Sequence, residues 1–343
     1  LTVCVRNQEG DTVLRRQVST RSEKIEAFFQ QLTEMDTEFM AILEVCGFND
    51  WLIRMLQDYR CQKVIVIQPD DRKKQKTDRR DAAALSELLW VNRDRLVAGK
   101  PVRGLRQVDI ASTADQENRR LTTLRKETSQ ARTRVINKIK HMLRRHNLQW
   151  EMPTKTFPTK AAIAWLKKLA LSEIDRLEMN HLLADLEHIQ QHFEELEEVI
   201  AERCETSEEA AILSSMPGAG NFVSVGLACR VGRVERFPRS HSLANYWGLT
   251  PGCRNSGDNN KRLGSITKAG SGMARWLLAQ VTRHALRMDR ELREWFKRIK
   301  RRRGASIARV AVMRRLATII WHMLTQRKTY AECRVFALAQ AEQ

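Results

Sequence analysis

A hydroxyl set among cations is the pattern in this sequence best suited to chemistry on a phosphodiester. Ser256, followed by Gly257, stands with Arg254, Lys261, Arg262 and Lys268 in the stretch Gly248–Leu278. Arg275 extends the cationic set a few residues further on. A serine hydroxyl is a weak nucleophile at neutral pH, so attack on phosphorus needs a metal or a neighbouring base to activate it. Taken alone, the same residues are equally those of a solvated turn, where serine is common.

A second set is acidic. Glu44 closes the apolar run Phe39–Leu43, and Asp78 and Asp81 fall three residues apart at the start of a helical pattern. That spacing projects both aspartates from one helix face. Carboxylate oxygens at a strand end and on a neighbouring helix suit Mg²⁺, alone or as a pair of ions shared with a phosphate. The competing reading makes Asp78 a helix cap and Asp81 the partner of an arginine.

The elements that must position these groups can be read in order. Leu1–Val5 and Val13–Val18 form a strand hairpin around Gly10 and Asp11, and 22–35 a helix with Ile25, Phe28, Phe29 and Leu32 inward. Strand 39–43, helix 49–60 and strand 63–68 imply a parallel pair with a right-handed crossover. A long basic helix occupies 105–148, with Leu121, Leu124, Ile136, Ile139 and Leu143 as its apolar stripe and Arg119, Arg120, Arg125 and Lys138 among its cations. One-signed charge over such a length is better explained by phosphate contact than by solvation alone.

An acidic segment at 171–204 carries a seam of Leu182, Leu186, Ile189, Phe193, Leu196 and Ile200. Either an antiparallel hairpin with the basic helix or dimerisation would bury it. His181, His188 and His192 fall mostly at solvated positions of this helix. Residues 213–232 then read as a helix-hairpin-helix, in which Gly218 and Gly220 let backbone approach a phosphate at a helix N-terminus. Residues 293–315 supply a further cationic tail, with Arg309, Arg314 and Arg315 left for solvent or phosphate.

Composition sets the class. The 343 residues carry a net charge of +19 and 42% hydrophobic residues, which excludes wholesale disorder and implies a polyanionic partner. Residues 1–100 are nearly neutral, with 17 Lys/Arg against 16 Asp/Glu, whereas 211–343 hold 25 against 7. Seven scattered cysteines without a C-x-x-C pair imply reduced thiols rather than disulfides or zinc. No apolar run of membrane-spanning length occurs, so a cytoplasmic, nucleoid-associated protein is expected.

These motifs together resemble the insertion-sequence transposases that join an acidic RuvC-like domain to a serine-bearing C-terminal domain, a group that includes DNA invertases and bridge-RNA-guided recombinases. The resemblance rests on Glu44, the run Lys76–Ala82, Asn137-Lys138-Ile139, Met216–Gly220, Phe237–Pro251, Ser256-Gly257, Gly264–Leu278 and Arg301–Leu316. It implies an RNase H-like (RuvC-like) α/β domain at 1–104. A basic-helix and coiled-coil region would follow at 105–208, and a helical domain with a helix-hairpin-helix-like element at 209–343. It further implies Mg²⁺ held by Glu44, Asp78 and Asp81, and Ser256 as the nucleophile that forms a covalent 5′-phosphoserine link to DNA. Donor and target DNA, a noncoding bridge RNA, and a dimer or tetramer whose protomers share an active site are the implied partners. The family's first acidic residue, an aspartate on a strand ahead of Leu1–Val5, has no counterpart, so the expectation is either an N-terminally incomplete chain or an inactive copy.

Three other functions fit the same residues: a site-specific invertase of this family, a metal-only junction nuclease, and an inactive nucleic-acid-binding relic. Should Ser256 not be the nucleophile, Ser265 or Ser271 would be.

Overall fold

The computed structural model describes residues 1–35, 38–47, 49–68, 77–100, 102, 105–253 and 263–339, with backbone alone at 253, 263 and 335–339. Ser256, Arg254, Lys261 and Arg262 lie outside the described residues. Two compact units result, Leu1–Ile110 and Ala111–Gln343.

In the first unit, β1 (Thr2–Arg6) and β2 (Thr12–Gln17) form the expected antiparallel hairpin, with Thr2 opposite Gln17. Helix α1 (Ser22–Met35) buries Ile25, Phe28 and Phe29. Strand β3 (Phe39–Glu44), α2 (Asp50–Asp58) and β4 (Cys61–Ile67) follow, and β3 and β4 pair in parallel. Helix α3 runs Asp78–Val97. Beyond it, Gln107–Val108 form β5, antiparallel to β4, where the sequence pattern alone assigns these residues to the basic helix.

The period-two rule for strands sorts β3 cleanly. Phe39, Ala41 and Leu43 join the cluster built on α1 and α2, while Met40 and Ile42 join Ile65, Ile67 and the α3 leucines Leu85, Leu88 and Leu89. The sheet is thus covered by helices on both faces. Helix α3 also reaches the hairpin, where the Trp90 indole donates to the Gln8 carbonyl at 3.1 Å and Arg6 Nε to Ser86 Oγ at 3.3 Å.

The second unit is almost all helix. The basic helix is α4 (Thr113–Arg145), followed by α5 (Lys160–Lys168) and α6 (Glu173–Thr206). Its start is fixed chemically: Ser112 Oγ accepts from the Asp115 amide at 3.1 Å, an N-cap. Ser172 does the same for α6. Within the chain α4 and α6 pair antiparallel, as the hairpin alternative expects, burying Val135, Ile139, Met142 and Leu143 against Met179, Leu182, Leu183 and Leu186. Cross-helix ion pairs run in opposite directions along the two helices: Glu117 with Arg203, Arg125 with Glu197, Arg145 with Asp175. Leu124, placed in the apolar stripe from sequence, is instead exposed.

Then come α7 (Glu208–Ser214), α8 (Asn221–Val231), a 3₁₀ turn at Val234–Arg236 and α9 (Ser240–Tyr246). Strands β6 (Pro251–Cys253) and β7 (Leu263–Ile266) form a small antiparallel hairpin. It leads into α10 (Gly272–Met288), α11 (Arg290–Arg303), α12 (Ala305–Gln326) and α13 (Tyr330–Ala339). One core gathers Leu213, Leu227, Trp247, Leu277, Leu316 and Ile320 from these segments. Among the described residues, no helix is long and apolar enough to cross a membrane.

Candidate functional site

Glu44 closes β3, and Asp78 and Asp81 stand in the first turn of α3. Met40 and Ile42 face the α3 side, and Glu44, two residues on, continues that register. The Val45 amide donates to the Ile67 carbonyl at 2.8 Å, so β3 and β4 end together. At the other end of the sheet, Lys63 Nζ near the start of β4 reaches the carbonyls of Leu96 and Val97 at the end of α3. Helix α3 therefore runs antiparallel to β4, its far end beside the start of that strand.

Among the described residues, neither ordinary role holds for the two aspartates. The N-cap position is Thr77, whose side chain makes no capping bond, and among the described residues no ion pair or hydrogen bond engages the carboxylate of Glu44, Asp78 or Asp81. Carboxylate oxygens that no described protein group engages suit a hard divalent cation. Among the described residues, no group of three or more His, Cys, Asp or Glu side chains converges on a point that could hold a metal.

The basic residues divide into engaged and exposed. Arg119 Nε donates to the Cys229 carbonyl at 2.8 Å. Arg125 donates to Glu197 at 2.6 Å, and its guanidinium lies over the rings of Phe193 and Phe222, 4.5 and 4.2 Å from their centroids. Both side chains hold α4 to its neighbours. Arg120 and Lys138 are exposed. Lys138 lines an open groove of about 780 Å³ with Arg134, His141 and Arg145 on one side and Leu177 and His181 on the other.

Helices α7 and α8 are joined by the turn Met216–Gly220. Gly218 has φ +82°, which favours glycine, and Gly220 N-caps α8 with open space around it. Lys268 is exposed at φ +54°. Arg275 is turned onto backbone carbonyls. Of the alternative serines, Ser271 caps α10 by accepting from the Ala274 amide at 3.1 Å, and Ser265 is exposed on β7.

On α11, Arg298, Lys300, Arg301, Arg302 and Arg303 present cations along one segment, and Arg309 and Arg314 on α12 are exposed. Arg315 is a correction: it is buried, with its guanidinium over Trp295 at 4.6 Å. Arg230 is not among the cations that the sequence singles out. It is buried in α8, donates to Thr122 Oγ1 at 3.0 Å and the Gly226 carbonyl at 2.8 Å, and burial lowers its pKa. A cation in an apolar helix gives a sequence signal, but its acceptors on α4 do not.

Comparison with known proteins matches the two ends of this architecture separately. A DEDD-type IS110 transposase profile covers residues 1–148, and one described as "Transposase IS116/IS110/IS902 family" covers 210–297. The chain is 30% identical over 264 residues to the transposase for insertion sequence element IS1111A of Coxiella burnetii, spanning 75% of this chain and 69% of that protein. It is 26% identical over 333 residues to a probable family 20 transposase of Pseudomonas aeruginosa, spanning 93% and 91%. To the transposase for insertion sequence element IS1328 of Yersinia enterocolitica it is 26% identical over 181 residues, spanning 50% and 54%.

The chain is thus an insertion-sequence transposase, a class of protein that acts on DNA. Within that class the chain belongs to the IS116/IS110/IS902 family. The DEDD-type domain implies the use of a divalent metal.

Proposed function

We propose that this transposase cuts and rejoins DNA through Ser256, with Glu44, Asp78 and Asp81 of an RNase H-like domain holding Mg²⁺. The observation that supports the reading is that Glu44 closes β3 while Asp78 and Asp81 open α3, a helix whose far end lies by the start of β4. When bound there, the metal would neutralise charge on the phosphate and on the departing oxygen. The chain's own part is nucleophilic. Ser256 Oγ attacks phosphorus and gives up its proton, the bond from phosphorus to the 3′-oxygen breaks, and that oxygen leaves as a 3′-hydroxyl. The protein is left joined to the DNA 5′-phosphate. Attack by another 3′-hydroxyl reverses the step and restores the serine, so strands are exchanged without a nucleotide cofactor.

Arg120, Lys138 and the exposed arginines of α11 and α12 would neutralise backbone phosphates of DNA and of a guide RNA. Gly220, with open space at the α8 N-terminus, would admit a phosphate close to the backbone. The region 105–208 would join protomers into a dimer or tetramer in which one copy's serine meets another's carboxylates. The test is mutational. Asp81→Asn in the purified protein should abolish metal-dependent cleavage of DNA carrying the element's own ends; unchanged cleavage would remove Asp81 from the site.

A further inference from the structure

Strand β3 ends on Glu44, and the peptide that follows it is held from both sides. That unit joins the Glu44 carbonyl to the Val45 amide. Its N–H donates to the Ile67 carbonyl at 2.8 Å, on the side of β4. In a planar trans peptide the C=O points the opposite way, here away from β4. Strand β3 stands first in the order β3-β4-β5, so among the described residues no strand pairs with it on that side. The donor comes instead from Asn49, whose Nδ2 reaches the Glu44 carbonyl at 2.6 Å.

The position of Asn49 in the chain suits a different task. It stands at the N-cap of α2, where its own carbonyl accepts from the Ile53 amide at 2.9 Å. Asparagine is preferred at an N-cap because its side-chain oxygen can accept from the first free amides of the helix. This side chain makes no such bond. It is turned back onto the strand, and its Oδ1 accepts from the Cys46 thiol. A carbonyl can only accept, so the contact with Glu44 fixes which end of the amide is nitrogen. A capping residue thus forgoes its cap to tie the start of α2 to the end of β3.

We infer, on the reading that Glu44 holds a divalent metal, that Asn49 is the positioning residue of that ligand: it fixes the plane of the 44–45 peptide and so the backbone from which the Glu44 carboxylate projects. Groups that orient a metal ligand without touching the metal typically change affinity or activity about 10–100-fold when removed. A purely structural Asn49 would affect stability and leave the metal dependence alone.

The experiment uses the full-length protein and Mn²⁺, which shares with Mg²⁺ a preference for carboxylate oxygen. Free Mn²⁺ is followed by electron paramagnetic resonance as the protein is titrated without DNA. The Mn²⁺ concentration giving half-maximal cleavage of DNA with the element's own ends is measured beside it. Asn49→Ser keeps a capping residue and removes the amide. It is expected to bind Mn²⁺ about 10-fold or more weakly and to need correspondingly more metal for cleavage. At saturating metal it should regain the wild-type rate, and without metal it should unfold at or above the wild-type denaturant midpoint. Should Asn49→Ser fail to fold, Asn49→Thr replaces it, with the same outcomes expected. Wild-type metal dependence in the folded variant, or a loss of cleavage that excess metal does not relieve, overturns the inference. Glu44→Gln is run in parallel: wild-type Mn²⁺ affinity and half-maximal concentration in that variant defeat the metal reading itself, whatever Asn49→Ser does.

Discussion

Gly218 faces His284 so closely that a Cβ on the glycine would lie 2.3 Å from His284 Cβ and 2.6 Å from Cγ. This contact locks the turn between α7 and α8 against α10. At φ +82° any other residue is also strained. Gly218→Ala should therefore lower stability by on the order of 1–3 kcal/mol, measured by denaturant unfolding. A wild-type midpoint would contradict the packing described.

Gly220 separates fold from function in the same turn. Its φ is −70°, and nothing lies within 4 Å of the point where a Cβ would stand. Gly220→Ala should leave unfolding within about 0.5 kcal/mol of wild type yet weaken DNA affinity if phosphate approaches there. Equal affinity in both proteins, by fluorescence anisotropy, would remove this turn from the interface.

Arg230 ties the basic helix α4 to α8 through Thr122, and it is buried among neutral acceptors. Arg230→Ala strands those acceptors and opens a cavity, with an expected cost of about 2–4 kcal/mol. Chemical denaturation of the two proteins decides it; a loss under half a kcal/mol (about the scatter for surface sites) would mean the contact contributes little.

Acid should loosen the tip of the α4–α6 hairpin. The Asp175 carboxyl is held below the usual carboxylate range, first by the Ser172 hydroxyl and then by Arg145 and His146. A depressed folded pKa gives stability that is present above the unfolded value, near about 4, and is lost as pH falls through the lower folded value. Melting temperature should thus fall more steeply below about pH 4 in wild type than in Asp175→Asn. Parallel curves would show that the carboxylate is not coupled to folding.

Much of this was legible in sequence because it is local. The hairpin of Leu1–Val18, the inward face Ile25, Phe28 and Phe29 of α1, and the parallel pair at 39–43 and 63–68 each follow from a pattern within a few residues. What escaped depends on partners distant in the chain. Two residues, Gln107 and Val108, are too few to show a period, and only β4 makes them a strand. Arg315, Arg230 and Arg275 look alike on paper, yet a ring, a threonine on α4 and three carbonyls respectively take them out of the solvent-facing set. For the acidic site, the residue types were readable, but the antiparallel course of α3 was not.

The central claim is that Ser256 bonds to DNA. Stalled reaction of wild-type protein with a nicked duplex of the element's ends, followed by proteolysis and mass spectrometry, tests it directly. The account predicts a peptide carrying a 5′-linked nucleotide on Ser256, absent from Ser256→Ala and Asp81→Asn. Cleaved DNA with no protein adduct, or an adduct on Ser265, would contradict it.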